Sequence, residues 1–259
     1  QTKQLAVLTG NIENGAYVFD AAGCASCHMI KGSEDRLSLA GGQSFSTDFG
    51  VFYAPNVSMS VTNGIGDWTL DQFATAVRDG VSPQGEHYFP AFPYTSYMKI
   101  TDQDIVDLWT FWQTLPAVET VNKEHDILFP YSIRRNLGVW KVLYADATYV
   151  SQGGTRGAYL VEALGHCAQC HTPRDMLGGL DENRWMMGAP SPDGRSNIPA
   201  ISPSQLKWSA EEIAEYLSTG FTPEYDVVGG HMAAVVYNIS RLASEDRNAI
   251  SAYLKNLPK

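Results

Sequence analysis

The stretch Cys24-Ala25-Ser26-Cys27-His28 recurs as Cys167-Ala168-Gln169-Cys170-His171, and the two copies use all four cysteines of the chain. Cys-x-x-Cys-His is the attachment signal for a c-type haem, and no other feature of the sequence restricts the fold as much. Two thiols three positions apart sit on one helical turn, where each can add to a haem vinyl group to form a thioether. The histidine that follows then lies under the iron and ligates it. A disulfide, a zinc site and a thioredoxin-like dithiol are the competing uses of such residues. The repeated spacing is that of haem attachment and not of a zinc finger. The reading is two covalently bound haem c groups, attached through Cys24, Cys27, Cys167 and Cys170, with His28 and His171 as proximal iron ligands.

The surroundings of the two motifs repeat as well. Gly15-Ala16-Tyr17-Val18 precedes the first and Gly157-Ala158-Tyr159-Leu160 the second, each at helical apolar spacing that predicts a helix running into the motif and ended by it. Trp68-Thr69-Leu70-Asp71-Gln72-Phe73-Ala74 is echoed by Trp208-Ser209-Ala210-Glu211-Glu212-Ile213-Ala214. Thr69 and Ser209 fit helix N-caps, the acids after them suit a first turn, and Gly80 and Gly220 fall where the helices should stop. The last pair runs from Thr101 to Leu115-Pro116 and from Ser244 to Leu257-Pro258, each opening on a capping residue and acids and closing on a proline.

Each half therefore reads helix, motif, long loop, helix, loop, helix, and strand signals are weak throughout. The fold class is all-α, with domains at 1–118 and 151–259. The Gly- and Pro-rich loops at 37–66 and 172–206 are too long for a packed domain without a cofactor, and make sense if each wraps a haem. Between the domains, 119–150 is an aromatic and basic connector holding Phe129, Tyr131, Arg134, Arg135, Trp140, Lys141 and Tyr144. It either fixes the two domains relative to each other or offers a docking or propionate-facing surface.

The chain has 259 residues, a hydrophobic fraction of 44% and a formal net charge of −10, which haem propionates would make more negative. Nucleic acid is an unsuitable partner for such a chain. A basic patch on a redox protein is a suitable one, although acidity also serves solubility alone. No apolar run of about 18 residues is present, so no membrane-spanning helix is expected. The sequence opens at Gln1 with neither a charged nor an apolar leader region, and is read as a mature form whose signal peptide has been removed.

The chain resembles the bacterial diheme cytochromes c related to the multihaem cytochrome subunits of membrane-linked alcohol and gluconate dehydrogenases. The resemblance is carried by Thr62-Asn63-Gly64-Ile65-Gly66-Asp67-Trp68, by Arg78-Asp79-Gly80-Val81-Ser82-Pro83 and by His87-Tyr88-Phe89-Pro90-Ala91-Phe92-Pro93-Tyr94. It continues with Gly157-Ala158-Tyr159-Leu160-Val161-Glu162-Ala163-Leu164-Gly165-His166-Cys167 and with Cys170-His171-Thr172-Pro173-Arg174. It implies tandem class I cytochrome c domains, each wrapped around one covalent haem, and haem attachment outside the cytoplasm in the periplasm. The implied partners are redox proteins, with a periplasmic dehydrogenase as electron donor and a cytochrome or oxidase as acceptor. The third haem domain of the dehydrogenase subunits has no counterpart here.

Class I cytochromes c place the distal methionine in the loop before the final helix. Of Met176, Met186, Met187 and Met232 in the second half, only Met232 falls there, with His231 as a competitor. In the first half the offset of 140 residues between Trp68 and Trp208 carries Met232 onto Phe92, which cannot ligate iron. Relatives commonly carry methionine where Ile100 stands, so Met98 is the nearest replacement, with Met59, His87 or an open site as alternatives. An open first site would make the protein a diheme enzyme of peroxidase type rather than a carrier. A spare cysteine, which a thiosulfate-type site would need, is absent. Trp68 and Trp208 either meet propionates or cover haem edges. Arg174 either meets a propionate or is solvated, and Pro173 is expected to accept a hydrogen bond from the His171 ring. His125 and His166 are read as structural or solvated.

Overall fold

The computed structural model describes residues 5–258 and divides into two compact units. Unit one holds the chain up to Phe19 and Cys24–Ala145, and unit two holds Asp20–Gly23 and Asp146–Lys259. The connector expected at 119–150 is thus grouped with unit one as far as Ala145. Among the described residues no helix is long and apolar enough to cross a membrane.

Unit one is built mainly of helices. They are α1 (Ile12–Ala21), α2 (Cys24–His28), α3 (Leu70–Asp79), α4 (Tyr94–Tyr97), α5 (Asp102–Trp112) and α6 (Asn136–Tyr144). Helix α3 carries a full capping box, in which Thr69 accepts from Gln72 N while the Gln72 side chain accepts from Thr69 N. It ends on Gly80 in the left-handed conformation, φ 59°. Thr101 caps α5 by accepting from Asp104 N. The first helix does not run into the motif as expected. It ends at Ala21, Gly23 turns left-handed at φ 64°, and the motif begins a separate short helix.

Helices α1 and α5 cross with backbone against backbone at Gly15, where a Cβ would lie 2.1 Å from the Asp107 carbonyl oxygen. Phe19 is fully buried against Phe111 and Trp112, and Phe73 packs on Trp109 and Trp112. The Trp112 indole donates to the Val57 carbonyl at 2.7 Å, so its N–H is not stranded in this apolar cluster. Strands β1 (Ser44–Thr47), β2 (Gly50–Tyr53) and β3 (Asp126–Ile127) form a small antiparallel sheet. Beside it Phe52, Phe89 and Leu137 pack together, and Lys141 on α6 donates to the Asp79 and Gly80 carbonyls at the end of α3. The opposite face of α6 leaves Val139, Val142 and Leu143 exposed.

Unit two repeats the plan with different fittings. Helix α7 (Arg156–Ala158) widens at once into a π-helical turn (Tyr159–Leu164), where the apolar spacing predicts ordinary helix. It is followed by α8 (Ala168–His171), a 3-10 turn (Glu182–Arg184), the short pair β4 (Ala189–Pro190) and β5 (Asn197–Ile198), then α9 (Ala210–Thr219), α10 (Gly230–Ile239) and α11 (Ser244–Lys255). Ser209 and Glu212 form the capping box of α9, and Gly220 closes it at φ 77°. The helix cap expected at Ser244 is not made. Ala243 holds the N-cap position, and the Ser244 hydroxyl donates instead to Glu245. The α7–α11 crossing is again built on a glycine, since a Cβ on Gly157 would stand 2.3 Å from the Ala249 carbonyl oxygen.

Candidate haem sites

Each attachment helix is preceded by a residue in the left-handed region, Gly23 before Cys24 and His166, at φ 39°, before Cys167. That reversal breaks the preceding helix and restarts it, so that two thiols and one imidazole leave a single turn. Burial, and then the neighbouring thiol, push Cys24 and Cys167 up to about 12, and burial also raises Cys170. All four cysteines are free of disulfides, and among the described residues no group of three or more His, Cys, Asp or Glu is placed to hold a metal ion.

The two histidines are oriented by matching contacts. His28 Nδ1 lies 2.9 Å from the Pro55 carbonyl oxygen, and His171 Nδ1 lies 2.8 Å from that of Pro199. A carbonyl can only accept, so Nδ1 carries the hydrogen and Nε2 keeps its lone pair. Burial lowers the pKa of both rings and so favours the neutral form that ligates. The expectation that Pro173 holds His171 is corrected, because the Pro173 carbonyl instead accepts from Asp181 N. The backbone of each histidine is fixed too. Gly41 N donates to the His28 carbonyl and Gly188 N to the His171 carbonyl, both at 2.7 Å. Both glycines are left-handed, and a Cβ on either would collide with the proline segment beside it.

Gly41, Pro55, Gly188 and Pro199 were not singled out from sequence. A signal existed in Pro55-Asn56-Val57-Ser58 against Pro199-Ala200-Ile201-Ser202, a further repeat that lies inside the long loops. Two neutral imidazoles with a free Nε2, each beside a pair of thiols one turn apart, fit haem c on both motifs.

The distal candidates sit in dissimilar places. Met98 is half-buried and ends α4, next to Tyr97, whose phenol is raised by burial and then by its neighbours Cys24 and Cys27. The Tyr97 ring is therefore near the first attachment motif. Met232 is half-buried in the first turn of α10, after Gly230 at φ 58°, and not in a loop as expected. His87 Nδ1 is engaged by Lys141 Nζ at 3.1 Å, and burial followed by the Lys141 charge lowers its pKa. Met59 is half-buried and His231 is exposed. Met176 is 97% exposed, Met186 is fully buried, and the Met187 sulfur accepts from the Ser202 hydroxyl at 3.1 Å.

The remaining residues are placed as follows. Arg174 donates to the Gly178 carbonyl and the Gln169 side chain, tying its loop back onto α8. His125 accepts from Tyr53 N and packs edge-on against Phe52 and Phe89. Burial lowers the His166 pKa. Trp68 is half-buried, while Trp208 packs edge-on against Tyr216.

Two attachment helices, each backed by a histidine with its ligating nitrogen free, define a c-type cytochrome with two haems. The chain belongs to the cytochrome c family, whose model matches it twice, over residues 12–116 and 155–258. It is 50% identical to the diheme cytochrome c-type protein of Cereibacter sphaeroides, over 97% of this chain and 87% of that one. It is 34% identical to the fructose dehydrogenase cytochrome subunit of Gluconobacter japonicus, covering 96% of this chain and 53% of the subunit. It is 33% identical to the gluconate 2-dehydrogenase cytochrome c subunit of Pantoea cypripedii, covering 95% of this chain and 59% of the subunit. The chain thus spans little more than half of those dehydrogenase subunits. It is a diheme cytochrome c of the electron-transfer type, with two covalently bound haem c groups.

Proposed function

We propose that the protein is a periplasmic carrier that takes electrons from a dehydrogenase and passes them to a downstream cytochrome or oxidase. Cys24, Cys27, Cys167 and Cys170 attach the haems, His28 and Met98 ligate the first iron, and His171 and Met232 ligate the second. The two haem domains extend over 1–118 and 151–259, joined by 119–150. A bound haem c supplies a one-electron iron couple, and everything else comes from the chain. The observation that carries this reading is the paired hold on His28 and His171 by the Pro55 and Pro199 carbonyls. A fixed imidazole keeps the iron's surroundings alike in both oxidation states, as transfer without bond-making chemistry requires. The names of the dehydrogenase-subunit relatives support a dehydrogenase as donor.

The optical spectrum of the ferric protein tests the ligand pairs. Two low-spin haems with methionine–iron bands are expected. Met232→Ala should remove one such band and lower one midpoint potential, because a thioether favours ferrous iron. Met98→Ala should remove the other and open the first iron to cyanide and carbon monoxide. Transfer to a basic redox protein should slow as salt rises, since the net charge is −10 and screening shortens its reach. A salt-independent rate would reduce that charge to a solubility feature.

A second reading, a peroxidase-like enzyme with an open first site, is favoured by one observation. Met98 and Met232 occupy different places in their units, at the end of a four-residue helix and inside the first turn of a ten-residue one. A high-spin ferric haem that binds peroxide in the wild-type protein would establish that reading in place of the carrier.

A further inference from the structure

Glu162 lies in the π-helical turn that leads into the second attachment motif and is only 2% exposed. Its carboxylate is met by neutral donors. Val150 N donates to Oε2 at 2.8 Å, and Ser151 N and the Tyr253 hydroxyl donate to Oε1 at 3.0 and 2.7 Å. Hydrogen bonds into both oxygens are the pattern of an ionised carboxylate. Trp185 Nε1 donates in turn to the Tyr253 oxygen at 3.1 Å, which orients that hydroxyl toward Glu162. Tyr253 is 1% exposed and stands close enough to Cys167 for the thiol to act on it electrostatically. Cys167 N donates to the carbonyl of Val161, the residue before Glu162, so the network lies beside a haem-attachment residue, and among the described residues no cation is paired with Glu162.

The position matching Glu162 before the first motif is Asp20, on the alignment of Gly15-Ala16-Tyr17-Val18-Phe19-Asp20 with Gly157-Ala158-Tyr159-Leu160-Val161-Glu162. Asp20 is paired with the Arg241 guanidinium at 2.9 Å. The partner of the Glu162–Tyr253 contact is also missing there, because Phe111 stands where unit two has Tyr253. One carboxylate is compensated by a cation, and among the described residues the other is met by dipoles alone.

We propose that Glu162 is a potential-setting residue for the second haem, its buried charge favouring ferric over ferrous iron, with Tyr253 and Trp185 as the positioning residues that hold that charge in place. Oxidation adds one positive charge at the iron, and a fixed negative charge in a weakly screening interior stabilises that state. The reaction concerned is the reversible one-electron couple already described, so no further reactant is involved. The proposal rests on the carrier reading only in requiring that this couple be reversible.

Spectroelectrochemical titration of the purified holoprotein tests it. Glu162→Gln keeps the shape and an acceptor oxygen while removing the charge. One midpoint should rise by an amount equivalent to a roughly tenfold change in the ferric-to-ferrous ratio, about 59 mV for a one-electron couple, while the other stays in place. Tyr253→Phe keeps the charge but removes one of the dipoles that offset it, so the same midpoint should move the opposite way by a smaller amount. A merely structural role would loosen the haem pocket in both variants and shift both midpoints in one direction. That result, or an unmoved midpoint in either variant, overturns the proposal. If Glu162→Gln does not fold, the direction of the Tyr253→Phe shift decides alone. A second haem that cannot be reversibly reduced in the wild type would refute the carrier reading instead.

Discussion

Unit one and unit two use the same helix crossing but lock it with different chemistry. In unit one the Asn14 amide donates to Asp104 and Asp107 at 2.8 and 2.7 Å, and Asp107 also accepts from Asn11 N. In unit two the corresponding contact is a two-pronged ion pair, with Arg156 Nε and Nη2 on the Asp246 carboxylate at 2.9 and 2.5 Å. The carbonyl just before each last helix is held from different places too. Arg78 on α3 donates to the Ile100 carbonyl at 2.5 Å, whereas Arg247, from within α11, donates to the Leu242 carbonyl. The backbone path around a haem is thus the shared quantity, and the side chains that hold it are interchangeable as long as every buried polar group finds a partner.

The strongest way to break the comparison is at the shared element. Gly15→Ala and Gly157→Ala would each drive a Cβ into a carbonyl oxygen of the closing helix, at 2.1 and 2.3 Å. Each should destabilise its own unit by about 3 kcal/mol, the upper range for overpacking. Denaturant titration followed at the two haems should show one transition moved and the other unmoved. Equal loss at both haems would mean that the units do not unfold independently.

The locks should differ in kind. Arg156→Ala leaves Asp246 without its guanidinium and should cost about 1–2 kcal/mol, less than a fully buried pair because Arg156 is 46% exposed. Asn14→Ala should cost a similar amount, about 1–2 kcal/mol, through lost hydrogen bonds to charged acceptors. Added salt separates them. Molar salt should erase part of the difference between Arg156→Ala and wild type and leave that for Asn14→Ala nearly intact. Identical salt responses would show that the ion pair contributes through packing alone.

The smallest effect sharpens the contrast before the motifs. His166 holds the left-handed conformation that Gly23 holds at the first motif, φ 39° against 64°. A side chain in that region is strained by about 1–2 kcal/mol, and glycine gives part of this back as chain entropy. His166→Gly should therefore stabilise unit two by about 0.5–1 kcal/mol, read as a higher denaturant midpoint at the second haem. Destabilisation would show that the imidazole contributes contacts worth more than its strain.

What could be read from the sequence was whatever chemistry repeats over a few residues. The motifs, the boxes at Thr69–Gln72 and Ser209–Glu212, and the stops at Gly80 and Gly220 are all local, and all are present. The expectations that failed depend on the register of long loops. Pro55 and Pro199 reach their histidines across 27 and 28 residues, a distance over which no local rule sets geometry. Pro173 has a carbonyl and no N–H, which suits it to accept from the His171 ring, yet the turn after α8 sends that carbonyl to Asp181. The resemblance to class I cytochromes c implies a loop around Met232, but Gly230 makes one left-handed turn and opens a ten-residue helix.

The glycine crossings also set an order of events during synthesis. Gly15 finds its partner carbonyl only when Asp107 has been made, and Gly157 only when Ala249 has been made. Neither crossing can form before its closing helix emerges. For unit one that moment comes while most of unit two is still unmade. Unit one therefore reaches its closing contact first, but the wait is alike in both, 80 residues from Cys27 to Asp107 and 79 from Cys170 to Ala249, so synthesis leaves each pair of thiols almost the same stretch of chain before its unit can close.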